Sequence, residues 1–245
     1  MADKILVVNS DISYGKVVKG FGEIVYDSNV FMSNPKDFKL ILFTGGSDVS
    51  PQLYGDSSPK GMCRSNIKRD VQEIQVFKLA KKHGVIMTGI CRGLQFINVM
   101  NGGKLMHHID GHSGVYRHDI RTNKDEILSV NSLHHQMVLP PENSIIMAWA
   151  SPSRSREYYG KNDELLKGVV GMIETEAVLY PSTKSFGVQY HPEMMESLTD
   201  GYVWYKSLVL SALDNYWEDF VSEAGNNVMS RQERVGGTGR CFYQN

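Results

Sequence analysis

Val85-Ile86-Met87-Thr88-Gly89-Ile90-Cys91-Arg92-Gly93-Leu94-Gln95-Phe96-Ile97-Asn98 decides how this chain is read. The apolar run from Val85 to Ile90 has the length of a buried strand. It ends in Gly89-Ile90-Cys91-Arg92-Gly93, after which Leu94, Ile97 and Val99 follow a helical pattern. A G-x-C-x-G turn between strand and helix is a version of the nucleophile elbow, which projects a reactive side chain from a sharp bend. Glycine is needed on both sides because Cβ atoms would clash there. Cys91 would head a helix, where the dipole favours thiolate over thiol. A buried structural cysteine shows the same local sequence, so the nucleophile reading needs partners elsewhere.

A nucleophilic cysteine needs a base, and the base needs an orienting group. Phe186-Gly187-Val188-Gln189-Tyr190-His191-Pro192-Glu193 offers both. Phe186 to Tyr190 reads as a strand, His191 falls at its end, and Pro192 forbids continuation of a central strand. His191 and Glu193 stand two apart and point the same way if the extended geometry persists. Alone, the tripeptide is a polar loop; beside an elbow it suggests a Cys91-His191-Glu193 triad. Leu40 to Phe43 is a further apolar run, followed by Thr44-Gly45-Gly46-Ser47-Asp48. A glycine pair after a strand lets backbone N–H groups approach a ligand. If Gly45-Gly46 lies beside the elbow, its N–H and that of Arg92 form an oxyanion hole; otherwise it is an ordinary glycine turn. The Arg92 side chain is expected to point away from the reacting atoms.

The apolar runs predict strands at Lys4–Asn9, Glu23–Tyr26, Lys39–Phe43, Val85–Ile90, Lys104–His108, Val115–Arg121, Ile127–Val130, Ile145–Trp149, Val169–Glu174, Ala177–Tyr180 and Phe186–Tyr190. Helices are expected at Ile67–Lys82, Arg92–Met100 and Asp200–Val221. The first half alternates strand and helix, which implies a parallel sheet, and the strand-rich middle implies antiparallel pairing. A flavodoxin-like core follows, a mixed sheet with helices on both faces and a β-rich edge. Its ligand site would lie at the carboxyl ends of the strands.

With 245 residues, 41% hydrophobic, the chain is long enough for a large core in one α/β domain. A net charge of -1 gives no case for nucleic acid or an anionic membrane as partner. No apolar run approaches the roughly 20 residues that span a bilayer, and the first residues lack the pattern of a signal peptide. Cys63, Cys91 and Cys241 form no disulfide pattern, so a reducing cytoplasm is the expected location. The catalytic domain is expected to span residues 1–221. A polar tail, 222–245, follows, with Gly225-Asn226-Asn227 ending the last helix. Gly236-Gly237-Thr238-Gly239-Arg240 has neither the preceding strand nor the following helix of a phosphate loop. Residues 148–165 read as polar and irregular.

The histidines raise a metal question. His107, His108, His112 and His118 lie close together, with His134-His135 further on. Adjacent histidines on a strand face opposite sides, and no cysteine or carboxylate completes a recognised ligand spacing. No metal and no organic cofactor is expected.

Several motifs in order now carry a resemblance. They are Gly45-Gly46-Ser47-Asp48-Val49-Ser50-Pro51-Gln52-Leu53-Tyr54-Gly55, Arg69-Asp70-Val71-Gln72-Glu73, Gly89 to Asn98, Asn101-Gly102-Gly103-Lys104-Leu105, Val130-Asn131-Ser132-Leu133-His134-His135-Gln136, and Gly187 to Glu193. The chain resembles the class I glutamine amidotransferase superfamily over residues 4–213, and within it the γ-glutamyl hydrolase-like branch, peptidase family C26. The resemblance implies the three-layer α/β/α amidotransferase fold. It implies Cys91 as nucleophile, His191 as base and acid, Glu193 as orienting carboxylate, and Gly45, Gly46 and Arg92 as oxyanion-hole backbone. It implies that Gln95, Ser132, His134 and His135 belong to the glutamyl-binding side of the site.

The implied activity is hydrolysis of a γ-glutamyl amide, a small-molecule substrate, through a thioester on Cys91. Cys-Arg-Gly, Asn98 and the His-His-Gln loop resemble the hydrolase branch more than subunits that feed ammonia to a synthetase. A glutaminase with a separate synthetase partner is the alternative, and a non-catalytic binding module the third reading. The short His-rich segment 106–114 and residues 148–165 depart from the family pattern on the side of the leaving amine. The oligomeric state is left open.

Overall fold

The computed structural model describes residues 3–9, 12–58, 61–159, 165–167, 173–214 and 216–234. In chain order its first elements are β1 (Lys4–Val8), α1 (Ile12–Val18), β2 (Glu23–Val25), α2 (Ser28–Ser33), β3 (Phe38–Phe43), α3 (Ile67–His83), β4 (Ile86–Ile90) and α4 (Arg92–Met100). There follow β5 (Lys104–Ile109), β6 (Ser113–Thr122), β7 (Ile127–Leu133), β8 (Met137–Leu139), β9 (Ile145–Ala150), β10 (Glu157–Tyr159) and β11 (Leu165–Lys167). The last are β12 (Thr175–Tyr180), β13 (Ser185–Val188), α5 (Asp200–Asp214) and α6 (Trp217–Arg234).

Among the described residues, nine strands form one sheet in the order β2-β1-β3-β4-β13-β12-β9-β6-β7. Pairing is parallel from β2 to β13 and antiparallel from β13 to β7. A small sheet, β11-β10-β5-β8, stands apart. The expected mixed sheet with an antiparallel edge is therefore present.

Strand alternation divides the apolar side chains between two cores. Ile5, Val7, Leu40 and Leu42 join the core that packs under α5 and α6. Leu6, Val8, Ile41 and Phe43 join the opposite one with Val76 and Phe77 of α3 and Phe96 of α4. Both faces are covered, so the parallel strands read as continuous apolar runs. Asn66 caps α3 by accepting from the N–H groups of Lys68 and Arg69, and Gly84, at φ 66°, closes its C-terminus.

Several expectations need correction. The single helix expected over Asp200–Val221 is two, α5 and α6. The break lets Trp217 donate its indole N–H to the Pro181 carbonyl at 3.3 Å and turns Phe220 onto Phe186, ring centroids 5.8 Å apart. Gly225-Asn226-Asn227 does not end the last helix, which runs on to Arg234 with Ala224 buried against the core. Strand β13 stops at Val188, short of Tyr190. Most of the strand expected at Val169–Glu174, all of Gly236 to Arg240, and Cys241 lie outside the described residues. Segment 148–165 carries β10, and α1, α2, β8 and β11 were not anticipated. These elements are three to seven residues long, too short to show a period. Among the described residues no helix is long and apolar enough to cross a membrane.

Candidate active site

The site forms where three neighbouring parallel strands end. Strand β4 lies between β3 and β13, with Phe43 opposite Gly89 and Ile90 opposite Val188. The chain leaving β3 carries Gly45-Gly46, the chain leaving β4 carries Cys91, and the chain leaving β13 carries His191. At the elbow Cys91 has φ 52°, a left-handed conformation that costs a non-glycine residue energy. Its neighbours leave no room for side chains. A Cβ on Gly89 would lie 2.4 Å from the Gly93 carbonyl carbon, and one on Gly93 would lie 2.1 Å from the Phe43 oxygen. The turn is tied by Cys91 N–H donating to Val188 O at 2.8 Å and Gln95 N–H donating to Cys91 O at 3.1 Å. Cys91 is 6% exposed, its Sγ 4.0 Å from the Leu133 carbonyl oxygen. Its amide neighbour Arg92 opens α4, so the Arg92 N–H belongs to the unsatisfied donors of a helix N-terminus.

His191 meets Glu193 through a 3₁₀ turn at Pro192–Met194 that curls the carboxylate back, not through a persisting strand. Nδ1 of His191 lies 2.6 Å from Oε1 of Glu193. Asn131 fixes the histidine backbone at two points, accepting from its N–H at 2.8 Å and donating to its carbonyl at 2.9 Å. Burial alone would make the imidazole harder to protonate, but the negative charges of Cys91 and Glu193 outweigh it. The His191 pKa is held up at about 10. Tyr14 of α1 packs against the same groups, and a Cβ on Gly45 would lie 2.5 Å from its hydroxyl oxygen and 3.1 Å from His191 Cε1. Burial, reinforced by Glu193 and Cys91, keeps the Tyr14 hydroxyl protonated.

A buried ionic lattice holds the glycine turn in place. Arg69 donates to Gly45 O at 2.9 Å and to Thr44 O at 2.8 Å, while its Nε pairs with Glu73 at 2.9 Å. The Arg92 side chain turns away from Cys91, pairs with both Asp70 and Glu73, and donates through Nε to Ser47 O at 3.1 Å. Arg92 is 1% exposed, and burial, with Arg69 nearby, pulls its pKa down to about 9 against the opposing pull of Asp70. Gly46, at φ 129°, sits so near Arg69 that a Cβ would lie 2.3 Å from Nη1.

The residues expected on the glutamyl side are turned inward, apart from His135. Gln95 donates to Gln136 O at 3.1 Å. Ser132 donates to His112 O at 2.8 Å, and His134 Nδ1 lies 3.0 Å from Gln136 O. Gln95, Ser132 and His134 are all 5% exposed or less. His135 is partly exposed and sets Nε2 3.0 Å from Asp48 Oδ1. His112, His118 and His134 converge on Glu174 and Glu176, and donor atoms of His112, His134 and Glu176 lie within 4.8 Å of one another. The carboxylates that sequence spacing did not supply to these histidines come from the start of β12.

Tyr14, Arg69, Asp70, Glu73 and Asn131 belong to the site without a role expected from the sequence. Arg69, Asp70 and Glu73 left a trace as charged residues at i, i+1 and i+4 opening a helix. Tyr14 left none, because α1 itself was not legible.

Comparison with known proteins identifies the family and the fold. The peptidase C26 family model matches residues 27–153. NtpR of Enterococcus hirae is 29% identical over 180 residues, covering 65% of this chain and 68% of that protein. The glutamine amidotransferase-like protein YvdE of Lactococcus lactis is 32% identical over 117 residues, covering 40% of this chain and 50% of its own length. The crystal structure of a glutamine amidotransferase from Thermotoga maritima superposes with a TM-score of 0.54 at 13% identity, over 96% of this chain and 93% of that one. The fold is the flavodoxin-like α/β/α fold of class I glutamine amidotransferases. With the family model spanning more than half of its length, the chain belongs to the peptidase C26 family.

Proposed function

We propose that the protein hydrolyses the γ-amide bond of glutamine or of a γ-glutamyl amine through a γ-glutamyl thioester on Cys91. The observation that carries this reading is His191 just past the end of β13, beside the Cys91 elbow and with Nδ1 2.6 Å from Glu193 Oε1, an arrangement that raises the His191 pKa. An imidazolium beside a cysteine stabilises the thiolate, the nucleophilic form.

In the first half-reaction the Cys91 thiolate attacks the γ-carbonyl carbon and the C=O electrons move onto oxygen. Backbone N–H groups of the Gly45-Gly46 turn and of Arg92 stabilise that oxyanion, each such donor being worth about 3 kcal/mol of barrier. The tetrahedral adduct collapses, the C–N bond breaks, and His191 gives its proton to the departing amine. In the second half-reaction neutral His191 takes a proton from water, whose oxygen attacks the thioester; glutamate leaves and the thiolate–imidazolium pair returns. Glu193 holds the imidazole in the tautomer that presents Nε2 to the reacting atoms. Tyr14 supports Glu193 and closes the turn beside Gly45. No step calls on a metal or an organic cofactor.

The buried positions of Gln95, Ser132 and His134 suit a supporting role better than direct glutamyl contact, leaving His135 and the loop backbone to face substrate. The boundary expected at residue 221 falls inside α6, whose Ala224 is buried in the core, so we place the whole of that helix in the catalytic domain. The hydrolase reading rests on the Cys-Arg-Gly elbow and the Asn131 to Gln136 loop. A glutaminase that passes ammonia to a synthetase would use the same chemistry and needs a partner protein.

Assaying the purified chain alone against glutamine and a series of γ-glutamyl amines tests the proposal. Hydrolysis of several γ-glutamyl amines, with steep loss when the glutamyl α-amino or α-carboxyl group is removed, is the expected result. Activity restricted to glutamine and appearing only with an added partner would replace it with the amidotransferase reading.

A further inference from the structure

Behind the nucleophile lies a second cluster of titratable side chains that the proposed reaction does not use. His112 precedes β6, His118 lies on it, His134 follows β7, and Glu174 and Glu176 stand at the start of β12. All five are at most 5% exposed. The rings are close, with centroids 4.7 Å apart for His112 and His134 and 5.2 Å for His112 and His118.

The hydrogen bonds leave one nitrogen of each of two histidines aimed inward. His112 Nε2 lies 2.9 Å from Glu174 Oε2, a carboxylate that also accepts from the backbone N–H groups of Arg154 and Ser155. That bond places the proton of neutral His112 on Nε2 and the lone pair on Nδ1, 3.3 Å from Ser132 Oγ, whose proton goes to His112 O at 2.8 Å, and 3.6 Å from Glu176 Oε1. Likewise His134 Nδ1 donates to the Gln136 carbonyl, which leaves the lone pair on Nε2, 3.8 Å from Glu176 Oε1. His134 Nε2 and Glu176 Oε2 are buried without a hydrogen-bond partner. Two lone pairs and a carboxylate facing one another in a buried pocket repel unless a proton or a metal cation lies between them.

We propose that His112 Nδ1, His134 Nε2 and a Glu176 carboxylate oxygen bind one divalent transition-metal ion of the zinc class. Two ligands, each about 2.0–2.2 Å from a tetrahedral ion, stand about 3.3–3.5 Å apart. The observed 3.6 and 3.8 Å to Glu176, with all three donor atoms within 4.8 Å of one another, reach that value by side-chain rotation. The outer partners have the form metal-binding histidines need, a carboxylate behind one ring and a backbone carbonyl behind the other. His118 Nε2, 3.0 Å from Glu176 Oε1, orients the third ligand. Enclosure of the cluster suits a structural ion rather than one that meets substrate. Such an ion would pin the end of β7, which carries Asn131 to His191 and the Leu133 carbonyl to Cys91. This inference does not depend on which amide the enzyme cleaves.

The test uses the full chain, freed of metal by a chelator and titrated with Zn²⁺ and, separately, with Co²⁺. One equivalent of either ion should bind, raising Tm, with the gain reversed by the chelator. The Co²⁺ form should show visible ligand-field bands without thiolate charge-transfer absorption. Glu174→Gln, which spares all three ligands, should weaken binding about 10–100-fold, and His134→Gln should abolish it. No uptake by the wild-type chain overturns the proposal and leaves protonated histidines to balance Glu176. So does a thiolate band, which would place the ion on a cysteine, or unchanged uptake by His134→Gln. If His134→Gln does not fold, the wild-type Co²⁺ spectrum and the Glu174→Gln titration decide.

Discussion

In the parallel half of the sheet the candidate-site residues stand beyond the last residue of a strand, and the strands themselves bury only small hydroxyls such as Thr88 and Ser185. Thr44 follows Phe43, Cys91 follows Ile90, and His191 comes after β13 has ended at Val188. In the antiparallel half they stand on the strands themselves, with His118 on β6, Asn131 and Ser132 on β7, and Glu176 on β12. The difference follows from what each half buries. Strands β3, β4 and β13 are covered on both faces, so a polar side chain on them has no water and few partners. Reactive groups can stand only at their ends, where loops and a helix N-terminus supply donors. The antiparallel half tolerates buried charge because neighbouring strands place an imidazole against a carboxylate. On the proposed function, one half carries the chemistry on a ligand and the other holds buried imidazole–carboxylate contacts.

The largest effects should come from the strand ends. Cys91→Ser and His191→Asn should lower kcat by about 10⁵–10⁶-fold with the folded state retained, since members of a nucleophile–base pair act as a unit. Glu193→Gln should cost less, about 10⁴-fold, because it only orients the imidazole. Steady-state assays and circular dichroism check both halves of the statement. A glutamine-like chloroketone should label Cys91 and spare Cys63, whose thiol burial and Asp48 push up to about 12. Peptide mapping of the label to Cys63 would end the nucleophile assignment.

The same contrast explains what could be read from sequence. The elbow is legible because strand, turn and helix are contiguous, and because glycine at 89 and 93 answers a local clash with backbone. Helix α4 has the bounds expected of it. His191 and Glu193 are legible as a pair, but the spacing suggests extended chain where a 3₁₀ turn joins them. The His112–Glu176 cluster was invisible because its members are brought together only by the pairing of β12 with β9 and of β9 with β6, which no spacing records. Tyr14 failed for the opposite reason: a helix of seven residues carries too little pattern to be recognised, whatever it packs against.

The lattice behind the glycine turn should dominate stability. Arg92→Met leaves Asp70 and Glu73, both fully buried, short of a cation. Removing one partner of a buried pair costs about 3–5 kcal/mol, so urea unfolding should show a loss of that size. Arg92→Lys keeps the charge but loses the fork that reaches both carboxylates and Ser47 O, and should recover only part. A loss below about 1 kcal/mol for Arg92→Met would mean that Arg69 alone satisfies the two acids.

A proton titration sharpens the comparison further. His191 is held up at about 10 against an ordinary value of 6.5, with Cys91 the first of the groups that raise it. The stability this supplies is fully present below pH 6.5 and fades as pH rises toward 10. Serine does not ionise in this range, so Cys91→Ser leaves Glu193 alone to oppose burial. The His191 pKa, followed by NMR of its ring carbon, should therefore fall in the variant. An unchanged value would show that Glu193, not the thiolate, holds the proton.

The smallest effect tests the one place where the two halves meet. Asn131 stands on β7 but clamps the backbone of His191 through both ends of its amide, 2.8 and 2.9 Å away. Each neutral hydrogen bond is worth about 0.5–1.5 kcal/mol, so Asn131→Ala should cost about 1–3 kcal/mol in stability. Asn131→Asp keeps the acceptor for the His191 N–H but sets a carboxylate against the His191 carbonyl oxygen, where nothing can donate. If the clamp only stiffens the loop, both variants should lose stability with kcat unchanged. If it positions the imidazole, kcat should fall by about tenfold or more while KM holds, because a displacement of about 1 Å at a reacting group can cost 10²-fold. Asn131→Ala should leave the His191 pKa near its wild-type value, since Cys91 and Glu193 remain in place. A fall in kcat with the pKa unchanged would assign Asn131 to positioning, and would show the antiparallel half setting the aim of a side chain that the parallel half supplies.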